Sequence, residues 1–277
     1  MESFEPSEWR TYDQFREPMT VEDLDGYLDF LAQLHGCTWD IPVNEEQKGL
    51  GEYMANWHPL AETIVGKPEV WEAVRTDWKE VFGRGMLEGF ADPAVGESMT
   101  KIMDLMVGPQ GVALDAEVLR VLRTRPRALN HGDARGTNIF RKKDGAREFA
   151  LIDWQMWAAG AVAGEFPQVF LNSFALETDV AKEMDRYLAR YHQALCEHQP
   201  KAAGSYSLEE LTNDVRLSMV DMHMQYLVFT MGVMPGYKDP ANREAKEYWE
   251  KMIRRNCETL HYSDSLGALA KLAAALA

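Results

Sequence analysis

Asn130-His131-Gly132-Asp133-Ala134-Arg135-Gly136-Thr137-Asn138-Ile139-Phe140, then the turn signal Asp144-Gly145, then Phe149-Ala150-Leu151-Ile152-Asp153-Trp154: across this stretch the apolar residues change their rhythm. Between Thr137 and Ile152 two short apolar runs flank a Gly-containing turn, which is the pattern of a β-hairpin. On either side the spacing is helical. Thr20 precedes Val21, Glu22 and Asp23 in a capping-box-like start, and Leu24, Tyr27, Leu28, Leu31 and Leu34 then recur on one face as far as Gly36. Val70, Trp71, Val74, Trp78, Val81 and Phe82 share one side of a helix expected over 68–82, and residues 115–122 predict a shorter one. Helical periodicity resumes near Phe166 and runs through 184–195, 208–234 and 245–260. The reading is a mainly α fold with one small β-hairpin in its middle.

A chain of 277 residues with 46% hydrophobic content can bury a sizeable core, and without repeats or low-complexity linkers it shows no internal boundary. Its 44 Asp and Glu against 29 Lys and Arg leave a net charge of −15, which repels phosphate backbones and anionic lipid and argues against nucleic acid as a partner. Cys37, Cys196 and Cys257 are odd in number, widely spaced and in no C-x-x-C pair. They point to the cytoplasm or another reducing compartment, not to a disulfide framework or a zinc site. No targeting signal is read at the start, where residues 1–19 lack a long apolar run. The apolar stretch 217–234 holds Asp221, His223 and Gln225, costly at mid-bilayer, and reads as a buried helix and not a membrane span.

The same central stretch carries chemistry. Phosphoryl transfer needs an acceptor that orients the attacking hydroxyl and hard oxygen ligands that hold Mg²⁺ against nucleotide phosphates. Asn138 follows Asp133 by five residues, the Asp-to-Asn interval of the catalytic loop H-R-D-x-x-x-x-N. Asn138 and Asp153 also lie almost symmetrically about Asp144-Gly145, so pairing the strands is expected to bring the amide beside the carboxylate.

These residues resemble a known family, the aminoglycoside, choline and ecdysteroid-kinase-like phosphotransferases, whose signature runs roughly H-G-D-x-x-x-x-N, apolar strand, I-D-W/F. Here it reads His131-Gly132-Asp133 with Asn138, then Ile152-Asp153-Trp154-Gln155. Leu31-Ala32-Gln33-Leu34-His35 looks like the family's L-A-x-L-H helix, and Ser205-Tyr206-Ser207-Leu208-Glu209-Glu210-Leu211 looks like the Y-S-x-E-E-L segment of the ecdysteroid-kinase-like branch. The resemblance implies a protein-kinase-like C-terminal lobe over residues 21–265. Asp133 would be the catalytic base and His131 the brace of the catalytic loop. Asn138 and Asp153 would ligate Mg²⁺ and through it bind ATP, with Trp154 and Gln155 supporting Asp153.

Two departures shape the expectations. About twenty residues precede the L-A-x-L-H helix, too few for the family's β-rich N-terminal lobe, so that lobe is expected to be missing and ATP binding weak or absent. Residues 1–20 then read as an N-terminal extension and 266–277 as an apolar tail. The family's G-x-x-x-x-D-L appears here as Gly160-Ala161-Val162-Ala163-Gly164-Glu165-Phe166, with Glu165 in place of a structural Asp. Two functions follow. The resemblance implies ATP-dependent phosphoryl transfer to a small-molecule hydroxyl. The alternative is a non-catalytic kinase-like subunit with a structural role, docking a protein partner or a second copy through Phe4, Trp9, Tyr12 and Phe15 or through Leu266, Leu269, Leu272 and Leu276.

Other features carry weaker signals. A metallophosphatase reading of His131 and Asp133 lacks a second His-rich motif. Residues 83–89 are Gly-rich at the wrong spacing for a phosphate loop. His192, Cys196 and His198 read as a solvated helix face, and Arg120, Arg123, Arg125 and Arg127 as ordinary surface charge. Met219, Met222, Met224, Met231 and Met234 read as core.

Overall fold

In a computed structural model, which describes residues 5, 7–13, 16–41, 89–144, 148–173, 179–232 and 243–277, the order of elements is set by where caps and breakers fall. They are β1 (Trp9–Thr11), α1 (Val21–Cys37), α2 (Pro93–Met106), α3 (Gly111–Arg123), β2 (Arg127–Asn130), β3 (Ile139–Lys142), β4 (Phe149–Leu151) and β5 (Ala158–Ala161). There follow α4 (Phe166–Asn172), α5 (Met184–His198), α6 (Pro200–Ser205), α7 (Leu208–Gly232), α8 (Arg243–Tyr262) and α9 (Ser265–Leu276). The helix expected over 68–82, most of the 83–89 segment, Phe4, Phe15, Gly145 and Met234 lie outside the described residues. The described elements are mostly helical, as the periodicity predicts.

The hairpin is present, with β3 and β4 antiparallel and Ile139 opposite Leu151. The single-hairpin expectation nevertheless needs correction. β1 adds to the other edge of β3, Trp9 opposite Lys142, and β2 pairs antiparallel with β5, Asn130 opposite Ala158. These strands are three or four residues long, too short for a period-two pattern to stand out, and their partners are distant in sequence.

Two compact units emerge, one from residues 1–54 and 122–215 and the other from 55–121 and 216–277. In the first, Thr20 caps α1 by accepting the Asp23 N–H at 3.2 Å, and α1 packs its Leu24, Leu28, Leu31 and His35 face on α5. His35 meets the Tyr191 hydroxyl at 2.6 Å, and burial drives its pKa down to about 3, so the imidazole is neutral. The Ser207 and Glu210 side chains form a reciprocal capping box at the start of α7, with contacts of 2.9 and 3.2 Å. Asp214, one turn on and fully buried, accepts from Arg125 at 2.6 Å and from the Tyr206 hydroxyl at 2.8 Å. Arg125 and Arg120, the latter on Glu117, are thus ion-paired within the cluster read as surface charge. His192 spends its Nε2 on the Tyr206 carbonyl at 2.8 Å.

In the second unit α2, α8 and α9 pack together, burying Ile102, Met106, Ile253 and Leu260. Of residues 266–277, expected as an apolar tail, all but Ala277 fall within helix α9; its Leu269 is fully buried there while Leu276 stays 43% exposed. Met219 and Met224 are buried, in keeping with a core role. Among the described residues no helix is long and apolar enough to cross a membrane.

One ion cluster ties the first unit together. Asp23 is fully buried and receives Arg10 Nη2 on both oxygens, at 2.8 and 2.7 Å, as well as Arg141 Nη1. Its removal leaves Arg141, itself only 9% exposed, without its nearest counter-charge. Asp23→Ala is therefore expected to destabilise the protein by about 3 kcal/mol, read as a lowered urea midpoint; a change within about 0.5 kcal/mol would refute the importance of this cluster.

Candidate active site

β2 ends at Asn130, whose side-chain amide donates to the Ala161 carbonyl at 2.7 Å and so ties the strand to β5. The next turn needs glycine. Gly132 has φ 81°, in the left-handed region that a side chain would strain. This twist aims consecutive backbone N–H groups at one acceptor, the fully buried Glu165: His131 N–H donates to Oε2 at 2.5 Å and Gly132 N–H to Oε1 at 3.2 Å. Ala134 N–H adds a further contact. Burial pushes the Glu165 carboxyl up to about 7, and the three N–H donors oppose that rise. The substitution of Glu for Asp in the G-x-x-x-x-D position is thus accommodated, the longer side chain reaching the loop from the turn before α4.

His131 is fully buried and braces the loop through both ring nitrogens. Nε2 donates to the Ile152 carbonyl at 2.7 Å, and Nδ1 accepts the Asp133 N–H at 3.2 Å. That pairing requires a neutral ring, and burial lowers the His131 pKa, against the opposing pull of the Ile152 carbonyl and of Asp133 and Asp153. Trp154 lies edge-on to the imidazole, centroids 4.7 Å apart, and donates its indole N–H to the Leu151 carbonyl at 2.9 Å.

Asp133 is half-buried, its side chain 18% exposed, with the Arg135 guanidinium 3.5 Å away. Burial raises its pKa, while Arg135, His131 and a hydrogen bond from Asn138 lower it and Asp153 raises it further. Asn138, buried at the end of a short 3-10 turn, donates Nδ2 to the Asp133 carbonyl at 2.8 Å and to its carboxylate at 3.0 Å. Two acceptors on that side orient the amide, so its carbonyl oxygen faces elsewhere.

Asp153 is exposed and sits just past β4 at φ 63°, ψ 54°. A left-handed aspartate costs on the order of 1 kcal/mol, a form of strain that gathers at functional sites. The Ile152 N–H donates to the Asn138 carbonyl at 3.1 Å, so Asn138 stands opposite Ile152 and one residue from Asp153, close to the symmetry read about the turn. Gln155 touches the Asp153 carboxylate at 3.4 Å. Among the described residues no group of three His, Cys, Asp or Glu side chains forms a metal cluster. An amide oxygen and a carboxylate nonetheless suit Mg²⁺, which keeps several waters and uses one or two protein ligands beside phosphate. Asn130 and the N-terminal contacts to this loop escaped the sequence reading, since no local pattern marks a partner more than thirty residues away.

The mostly helical fold and its central loop are of the kinase-like phosphotransferase kind. The family profile described as DUF1679, "uncharacterized oxidoreductase dhs-27", an ecdysteroid-kinase-like family, matches residues 11–262, and the chain belongs to it. A comparison with curated proteins finds no match. Solved structures similar to the chain include choline kinase LicA from Streptococcus pneumoniae, at 14% identity and TM-score 0.42, covering 94% of this chain and 68% of that one. Plasmodium vivax ethanolamine kinase Pv091845 is similar at 14% identity and TM-score 0.43, covering 90% of this chain and 62% of that one. The chain therefore spans less than two thirds of the latter's length.

Glu165 makes a pH prediction. Its folded pKa of about 7 lies above the ordinary 4.5, so its contribution to stability is full below pH 4.5 and lost as pH rises through 7. Denaturant unfolding between pH 5 and 8 is expected to show wild-type stability falling with pH. Glu165→Gln, with no charge to bury, should flatten that slope, and an equal slope in both proteins would remove Glu165 as its source.

Proposed function

We propose that the chain transfers the terminal phosphoryl group of ATP to a hydroxyl of a small molecule, with the loop from His131 to Asn138 and Asp153 as its site. The observation that carries this reading is the Asn138 amide, fixed by its two bonds to Asp133 and so free to offer its oxygen to a hard cation, with an exposed Asp153 one residue past its ladder partner Ile152. Asn138 and Asp153 would hold Mg²⁺, which supplies charge neutralisation on the phosphates. Asp133, half-buried and bonded to Asn138, orients the acceptor hydroxyl and takes its proton as oxygen attacks the γ-phosphorus and the bond to ADP breaks. His131 and Glu165 act behind it: the neutral imidazole and the buried carboxyl hold the backbone that presents Asp133.

The word oxidoreductase in the family description has less support. Every strand pair among the described residues is antiparallel, whereas a dinucleotide-binding βαβ unit is parallel.

The test is phosphate transfer from Mg-ATP to a panel of amino alcohols, aminoglycosides and steroid alcohols. Asp133→Asn is expected to lower turnover by about 100-fold or more with an unchanged circular dichroism spectrum. Turnover equal to wild type would take Asp133 out of the mechanism. A folded wild-type chain that transfers to none of these acceptors and binds no Mg-ATP would favour the non-catalytic subunit instead.

A further inference from the structure

Beyond this reading, we infer that Thr11 in the N-terminal strand is a positioning residue of the site, holding the turn that carries Asn138. The Thr11 hydroxyl lies 3.1 Å from both the Gly136 and the Thr137 carbonyl oxygens, and donates to that pair. The Tyr12 N–H donates to the same Gly136 carbonyl at 3.2 Å. These contacts fall within the four residues between Asp133 and Asn138. They also demand closeness. A Cβ on Gly136 would lie 3.1 Å from Tyr12 Cβ and 3.4 Å from the Tyr12 carbonyl oxygen, so only glycine lets the strand approach without displacement.

The strand has its own anchors, which makes it a support and not a passenger. β1 is in register with β3, Arg10 opposite Arg141 and Thr11 opposite Phe140, and the Lys143 N–H donates to the Glu8 carbonyl at 2.7 Å. The Arg10 guanidinium donates to both carboxylate oxygens of the buried Asp23. Tyr12, 2% exposed, seats its ring in the core of the unit. From this frame the Thr11 hydroxyl reaches the carbonyls of the 3-10 turn Gly136–Asn138, and Asn138 in turn bonds Asp133. Freed of that hold, the turn gains a motion whose first effect is on the Asn138 amide. Thr11 itself is exposed, so the isosteric loss of its hydroxyl leaves the core untouched.

The inference rests on the reading of Asp133 and Asn138 as the working pair, but its experiment uses neither nucleotide nor turnover. Solvent exchange of the Asn138 side-chain amide and of the backbone amides at 136–139 is followed by nitrogen-15 NMR in the full chain. Thr11→Val and Thr11→Ala are expected to speed exchange at Asn138 by about tenfold, roughly the loss of one hydrogen bond, while Thr11→Ser keeps the wild-type rate. The amides of Leu28 and Leu31 in α1 serve as the control and are expected not to change. Unchanged exchange at Asn138 in the valine and alanine variants overturns the proposal, and so does an equal acceleration at Leu28 and Leu31, which marks a general loss of stability. Failure of phosphate transfer in the wild type leaves this measurement valid, so the two readings fall separately.

Discussion

A carboxyl group with no exposed surface is the point on which the site hangs. Glu165 collects the N–H groups of His131, Gly132 and Ala134 into one acceptor, and those are the groups a loop leaving a strand would otherwise bury unpaired. Convergence of that kind is possible only because Gly132 turns left-handed between its neighbours. It also fixes the direction in which Asp133 leaves the loop, since the Asp133 N–H is spoken for by the His131 ring. Burial and donor bonds pull the carboxyl in opposite directions, and burial wins by enough to bring its pKa near 7.

From Glu165 the order spreads along hydrogen bonds of the first unit. His131 links the loop to Ile152 at the end of β4, and Asn138 links the far end of the loop back to Asp133. Both ends are thereby tied to the hairpin, one through a ring nitrogen and one through a strand register. The left-handed Asp153 breaks away from β4 one residue after the ladder ends, and Gln155 touches its carboxylate. Strain, exposure and proximity to Asp133 meet there, the combination that gathers at functional sites.

A second centre of order lies at Asp23. One helix start, one edge strand and one hairpin strand converge on its two oxygens through Arg10 and Arg141. Charge this deeply buried is tolerated because it is shared between two guanidinium groups, and the register of β1 against β3 follows from it as much as from the ladder itself. Trp9–Thr11, within the stretch expected to be an extension, thus forms the outer strand of the sheet whose inner strand begins just past the loop that carries Asp133.

Periodicity and motif spacing were enough for the helical character, the hairpin over 137–152 and the limits of α1, because each rests on residues within a few positions of one another. The candidate residues His131, Asp133, Asn138 and Asp153 were legible for the same reason: short intervals in sequence become short distances across one turn and one hairpin. Glu165 was visible only as a departure from a pattern, and its use of the extra methylene depends on how far α4 stands from the loop. Thr11 and Asn130 carried no signal, being ordinary polar residues whose partners lie 125 and 31 positions away. The amino-acid sequence by itself determined which groups are present and which local elements carry them. Tertiary structure alone decided which distant backbone atoms those groups satisfy, because a buried N–H or carbonyl accepts whatever partner the packing of the chain brings within reach.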